Sequence, residues 1–193
     1  TADDMYPAGF ATHIHVAGVS DGLEGAARPG HFDGVATVVA KLLLQVQPDI
    51  ALFGEKDYQQ LCVIKCLVRD MNIPTTIMGA PTVREADGLA LSSRNQYLSA
   101  QQRAIAPALY AQLQSLAQKL VMPAQAGIHL PIKKATSSIL APPFDSHHYL
   151  ALREGDSLAP LMELNTHARL IVAARLGTTR LLDNILIAPV DFS

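Results

Sequence analysis

The stretch Asp49-Ile50-Ala51-Leu52-Phe53-Gly54-Glu55-Lys56-Asp57-Tyr58-Gln59-Gln60 decides how this chain is read. An apolar run meets a glycine and then a helical pattern, the strand-to-helix corner at which α/β folds bind nucleotides. Glycine there lets backbone approach a ligand, and a helix N-terminus offers unpaired N–H groups to an anion. Lys56 adds a full positive charge. Taken alone, Gly-Glu-Lys-Asp also describes a solvated helix start, and the stretch is not a Walker loop.

Working outward, residues 32–46 have helical periodicity, with Val35, Val38, Val39, Leu42, Leu43 and Val46 on one side and Gln47-Pro48 as the stop. Asp49 to Phe53 reads as a buried strand, Asp57 to Asp70 as a helix and Ile73 to Gly79 as the next strand. That alternation predicts a parallel sheet, the second half of a Rossmann-like layer. Further upstream, Phe10 to Val16 alternates apolar and polar residues, which predicts a half-buried strand with His13 and His15 on its solvent face. A histidine pair without a third ligand is not read as a metal site.

Downstream of Asp87-Gly88, Leu91-Ser92-Ser93-Arg94-Asn95 sets two hydroxyls beside a guanidinium, the composition of a loop that can close over a polyphosphate; an ordinary loop has the same look. Ser99-Ala100-Gln101-Gln102 is a capping box opening a helix with Ile105, Leu109, Leu113, Leu116 and Leu120 near one face. Prolines at 123, 131, 142 and 143 predict a loop-rich or poorly ordered segment over 121–143. Arg169 to Leu176 and Arg180 to Ile187 read as a hairpin around Gly177-Thr178-Thr179. The expected fold class is therefore α/β: a Rossmann-like part over residues 1–82, then a smaller α+β domain over 83–193.

Composition narrows the function classes. The net charge of -2 offers no general attraction for nucleic acid, so cations that matter must act locally. No apolar run approaches the roughly 18 residues of a membrane helix. Cys62 and Cys66, four apart in a helical pattern, lack a second ligand pair and read as small buried side chains, so no metal ligand set is expected. With no disulfide framework and no secretory segment at the front, a cytoplasmic address is the expectation.

The strings quoted so far keep company with Met5-Tyr6-Pro7, Leu23-Glu24-Gly25, Arg28-Pro29-Gly30-His31-Phe32, Val35 to Lys41, Pro81 to Leu89, Tyr97-Leu98-Ser99 and Arg169 to Gly177. In this order they closely resemble the pantoate–β-alanine ligases, the pantothenate synthetases of the cytidylyltransferase-like superfamily. The resemblance implies ATP-dependent joining of pantoate to β-alanine through a pantoyl adenylate, a step of pantothenate and coenzyme A biosynthesis, with Mg2+ accompanying the phosphates and a homodimer as the assembly. Position by position, it implies Lys56 and Arg94 as the fixed positive charges on the phosphates and Ser92 and Ser93 as hydrogen-bond donors to them. Gly54 and Asp57 fall to the ribose and Val83 to the adenine. Gln60 falls to pantoate, with Val38, Val39 and Ile64 as its apolar wall and Arg28 steadying the anion. Each aliphatic residue fits a plain core reading equally, and Arg28 fits a surface turn. His31 is given no role.

The chain opens at Thr1 already inside the family's pattern. The first strand, a His-x-x-His nucleotide motif and much of the pantoate pocket are expected in a preceding part, so the chain reads as a C-terminal fragment or a truncated product whose sheet exposes an edge. Two rivals follow: another nucleotidyltransferase of the same superfamily, and a non-catalytic fragment that folds or dimerises without a complete site.

Overall fold

The computed structural model describes residues 1–125, 144–161, 164 and 167–187. They divide into two compact units, Thr1–Pro81 and Thr82–Ser193. In the first, short helices α1 (Ala2–Met5) and α2 (Leu23–Ala27) lead into α3 (His31–Val46), strand β1 (Ile50–Gly54), a 3-10 turn over Glu55–Asp57, helix α4 (Tyr58–Asp70) and strand β2 (Thr76–Ala80). In the second, a 3-10 turn over Ser93–Tyr97 precedes α5 (Ala100–Ile105) and α6 (Ala108–Gln125), followed by β3 (Ser146–Glu154), β4 (Ala168–Leu176) and β5 (Thr179–Ile187).

β1 and β2 pair in parallel, Ile50 with Thr76 through Gly54 with Ala80, and α4 is the crossover between them. Odd and even residues of these strands have opposite fates. Ala51, Phe53 and Ile77 pack on a core of Phe32, Ala36, Val39, Leu43, Val63, Ile64 and Leu67 from α3 and α4. Ile50, Leu52 and Met78 stand on the other face, 55%, 69% and 47% exposed. The expectation of a buried strand is thus corrected: among the described residues, helices cover one face of the pair and leave the other bare. α3 starts from Gly30 and stops at Gln47, both in left-handed backbone. Its expected apolar face is also narrowed, because Leu42 and Val46 are exposed while Phe32, Ala36 and Ala40 turn inward.

Residues 10–16 form no strand, contrary to their alternation. The segment is tied to α3 instead, Ile14 N–H donating to Thr37 Oγ1 at 3.0 Å and His15 Nδ1 lying 2.8 Å from Asp33 Oδ1. Side-chain partners on a helix replace the ladder that an alternating pattern anticipates.

In the second unit β4 lies between β3 and β5 in an antiparallel sheet, and β4–β5 is the expected hairpin. Its core joins Leu109, Leu113, Leu116 and Leu120 of α6 to Leu170, Val172, Ala174 and Leu181 of the sheet. The helix read as continuous from Ser99 is two, since Pro107 interrupts it. Ser99 and Gln102 do close the capping box. α6 continues through Pro123 to Gln125, so the predicted loop begins later than Val121. The rest of that segment, 126–143, lies outside the described residues. Among the described residues no helix is long and apolar enough to cross a membrane.

Candidate functional site

The parallel pair aims its carboxyl ends at the Gly54–Asp57 turn. Gly54 has ordinary negative φ, and a Cβ there would meet nothing within 4 Å. The fold therefore does not demand glycine at this position, and the open space beside the backbone is available to a ligand. Gly79 of β2 is different. A Cβ there would come within 2.8 Å of Glu55 Oε1, so glycine lets the Glu55 side chain lie across the strand end.

Lys56 keeps 20% of its side chain exposed and holds Nζ 3.8 Å from Asp57 Oδ1, with Asp57 half exposed. Gly54, Lys56 and Asp57 are thus together at one strand end. α4 begins only at Tyr58, and Asp57 is its non-helical N-cap. Lys56 and Gln60 therefore do not share a helix face; Gln60 sits in the first turn of α4, partly buried.

Gln59, beside it, has no part in the sequence reading. It is 4% exposed, and its side chain clamps a distant loop: Oε1 accepts from Glu24 N at 2.9 Å, while Nε2 donates to Val19 O and Asp21 O at 3.0 and 3.2 Å. Gly25 of α2 packs so closely on the Ser20 carbonyl that a Cβ would collide with it. The only cue in the sequence is a glutamine placed among the apolar positions of α4.

The loop leads to a cleft of about 200 Å3 lined by His15, Ser20, Gly22, Arg28, Gly30 and Asp33. Arg28 is exposed at the end of α2, with Nη1 3.0 Å from His31 Nε2, which gives the unassigned histidine a neighbour. Val38 is partly buried, Val39 is 8% exposed and Ile64 is fully buried, so Val39 and Ile64 are core side chains here. Of the two cysteines only Cys62 is buried; Cys66 Sγ lies 3.2 Å from Asp70 Oδ2, and partial burial followed by that carboxylate pushes its thiol pKa up.

In the second unit, Val83 to Leu91 doubles back on itself, Leu91 N–H donating to Val83 O at 2.9 Å, and the Val83 side chain is 65% exposed. Ser92 caps the 3-10 turn that follows, its Oγ accepting from Arg94 N at 3.2 Å. The hydroxyl proton stays available to an acceptor. Ser93 and Arg94 are exposed or nearly so, and Ser92, Ser93 and Arg94 form one polar surface on a helical turn rather than a featureless loop.

A turn with lysine and carboxylate at a parallel strand end and a Ser-Ser-Arg turn in a second unit are the parts this sequence leads one to seek. A profile of the family described as pantoate-beta-alanine ligase matches residues 1–186. The chain belongs to that family. It is 56% identical to the pantothenate synthetase of Paramagnetospirillum magneticum over 186 residues, which are 96% of this chain and 65% of the relative. Against the Chelativorans sp. pantothenate synthetase the identity is 55%, over 96% of this chain and 64% of the relative. Among solved structures, pantothenate synthetase from Thermus thermophilus superposes with a TM-score of 0.87 at 47% identity, covering 98% of this chain and 68% of that one. The pantoate-beta-alanine ligase of Francisella tularensis, complexed with beta-gamma ATP and beta-alanine, matches at a TM-score of 0.67 and 34% identity, covering 95% and 61%. This pantoate-beta-alanine ligase family chain thus spans about two thirds of the length of the relatives it matches. Its nucleotidyltransferase-like α/β part and its antiparallel part both belong to that shared length.

Proposed function

We propose that this chain supplies the phosphate-binding residues for ATP-dependent condensation of pantoate with β-alanine, giving pantothenate, AMP and pyrophosphate through a pantoyl adenylate. The observation that carries this reading is the Gly54-Glu55-Lys56-Asp57 turn at the carboxyl end of a parallel strand, in a chain of the pantoate-beta-alanine ligase family. Residues 1–82 are read as the C-terminal part of a Rossmann-like nucleotide-binding domain and 83–193 as a smaller α+β domain bearing a phosphate-closing turn.

In the first step a pantoate carboxylate oxygen attacks the α-phosphorus of ATP as the bond to the β-phosphate oxygen breaks and pyrophosphate leaves. In the second, the amine of β-alanine attacks the acyl carbon, the bond to AMP breaks, and the amine proton passes to solvent. Carboxylate and polyphosphate repel, so the site must supply fixed positive charge and donors where charge accumulates. Lys56 and Arg94 take the first task, and the hydroxyls of Ser92 and Ser93 the second. Gly54 leaves room for the ribose, whose hydroxyls donate to Asp57, and the exposed Val83 offers an apolar surface to adenine. Gln60 holds pantoate against an apolar wall in which Val38 stands forward and the core side chains Val39 and Ile64 support it from behind, and Arg28 steadies the anion. Pantoate is ionised at neutral pH, so positioning and charge stabilisation suffice without an acid–base dyad.

Around the Gly54–Asp57 turn no three-ligand metal cluster occurs among the described residues, although Glu55 and Asp57 offer carboxylates there. Mg2+ fits as an ion carried mainly on the phosphates, touching one or two carboxylates at most. A homodimer in the cytoplasm completes the proposal.

Calorimetric titration with a non-reactive pantoyl adenylate mimic tests it. Binding by the chain that weakens tenfold or more in Lys56→Ala is the expected outcome. A folded chain that binds neither this mimic nor ATP would instead be a non-catalytic fragment. ATP binding without pantoyl recognition would point to another nucleotidyltransferase.

A further inference from the structure

The second unit carries a side-chain cluster that the ligase chemistry does not use. Glu154 ends β3, Gly155 and Asp156 open the turn beyond it, and His167 immediately precedes β4. One ligand atom from each of Glu154, Asp156 and His167 lies within 4.8 Å of the other two. His167 Nε2 stands 3.5 Å from Asp156 Oδ2 and 3.9 Å from Glu154 Oε1. Both gaps exceed the usual N–H···O range, which ends near ~3.2 Å. They suit two ligands of one ion: with metal–nitrogen and metal–oxygen bonds of about 2.0–2.2 Å, tetrahedral neighbours sit roughly 3.4 Å apart.

The surroundings fix two of the three groups. Glu154 Oε2 accepts from Ser157 N at 2.6 Å, Ser157 Oγ at 2.7 Å and Asp156 N at 3.1 Å, which orients the carboxylate and leaves Oε1 toward the imidazole. The Ser157 hydrogen bonds also hold the Glu154 carboxyl below its ordinary range. The His167 ring lies directly on the backbone of Gly155, where a Cβ would overlap the imidazole, and Gly155 N–H donates to His167 O at 3.1 Å. Glycine between the two acids is what lets the ring come this close. Asp156, with its side chain 75% exposed, leaves the cluster open to solvent.

We propose that Glu154, Asp156 and His167 bind a divalent transition-metal ion of the zinc class, with the remaining coordination positions taken by water or an exogenous ligand. One imidazole among the ligands favours zinc over magnesium or calcium, which prefer oxygen throughout. The sequence reading weighed only the Cys62–Cys66 and His13–His15 pairs as ligands; His167 is thirteen positions beyond Glu154, and the β3–β4 pairing brings the two together.

Titration of the whole chain with Zn2+ against a chromophoric chelator tests the site. The expected result is one Zn2+ per chain, weakened tenfold or more in His167→Asn and in Asp156→Asn, and unchanged in His148→Asn. Zn2+ should also raise the melting temperature of the parent chain and not that of Asp156→Asn, the substitution least tied to folding. No saturable binding by the folded chain, equal affinity in the three variants, or loss confined to His148→Asn would overturn the proposal and leave the cluster as an ion pair.

Discussion

The two sheets of this chain solve the same problem to different extents. In the second unit β4 is paired on both sides, and eight of its nine residues are buried, while α6 closes the core against it. In the first unit two parallel strands rest on α3 and α4 with one face, while Ile50, Leu52 and Met78 face water on the other. Parallel sheets are ordinarily covered on both faces, because their crossovers deliver helices to each side. Identical strand chemistry therefore has opposite energetic worth in the two places. Apolar strand residues stabilise only where a second layer removes them from water, at about 25 cal/mol per Å2 of surface hidden.

Truncations across the two sheets give the largest expected contrast. Leu170 of β4 is fully buried, and Leu170→Ala should cost about 2–5 kcal/mol through lost burial and the cavity left behind. Leu52 of β1 is 69% exposed, and Leu52→Ala should stay within about 0.5 kcal/mol. Chemical denaturation followed by hydrogen exchange in each unit reads both values. A comparable loss from Leu52→Ala would mean that the bare face is covered in solution, and the comparison would fail.

A polar version follows inside the second unit. Arg84 makes a two-pronged ion pair with Asp183, at 2.7 and 2.8 Å, and its guanidinium stacks 3.5 Å from the Tyr110 ring centre. Burial works against the Arg84 charge, yet the Asp183 hydrogen bonds and charge, together with Tyr110, outweigh it and raise the guanidinium pKa. Asp183 is 2% exposed, so Asp183→Asn should cost about 3 kcal/mol by leaving a desolvated cation half-paired. Arg84→Met together with Asp183→Leu should recover much of that loss. If the single substitution is harmless, the second unit's core tolerates unpaired charge and is less closed than its burial implies.

Much of this architecture was legible in the sequence, for a physical reason. Helix α3 is bounded by Gly30 and Gln47-Pro48, the β4–β5 hairpin by Gly177, and the capping box by Ser99 and Gln102, all signals local to the chain. What failed depends on layers that local patterns do not encode. The alternation over residues 10–16 forecast a strand, but its polar groups find α3 rather than a neighbouring strand. Leu42 and Leu52 were expected inside, and whether they are depends on what covers them. The edge expected to be exposed turned out to be accompanied by an exposed face. At the candidate site, the Gly54–Asp57 corner follows from a strand–glycine–helix pattern, whereas the Gln59 clamp joins residues 35 to 40 positions away and gives no local sign.

Acidification should separate the two units more gently. His147 of β3 packs edge-on to Phe144, with ring centres 5.7 Å apart, and burial lowers its pKa from the ordinary value of 6.5. A histidine whose folded pKa is depressed binds fewer protons folded than unfolded. Its contribution is fully present above about 6.5 and is lost as pH falls from there through the folded value. Denaturation at pH 7.5 and 5.5 should therefore show the second unit weakening on acidification, and His147→Phe should flatten that response. An unchanged slope in the variant would assign the loss to other groups.

The smallest stability effect belongs to the bare face, and it sharpens the comparison most. Leu52→Lys and Met78→Lys place charges where the parent side chains are 69% and 47% exposed, so folding should change by no more than about 0.5 kcal/mol. Leu52 and Met78 are cross-strand partners on one face, and contiguous exposed apolar surface of this kind is what hydrophobic dyes and self-association exploit. The double variant should therefore bind less dye and stay monodisperse at higher concentration, while its denaturation midpoint hardly moves. A large loss of stability would show that these side chains are already packed against something in solution, most simply a second copy. Because a surface residue and an interface residue differ in this one respect, the pair distinguishes a merely uncovered sheet from one that has found a cover.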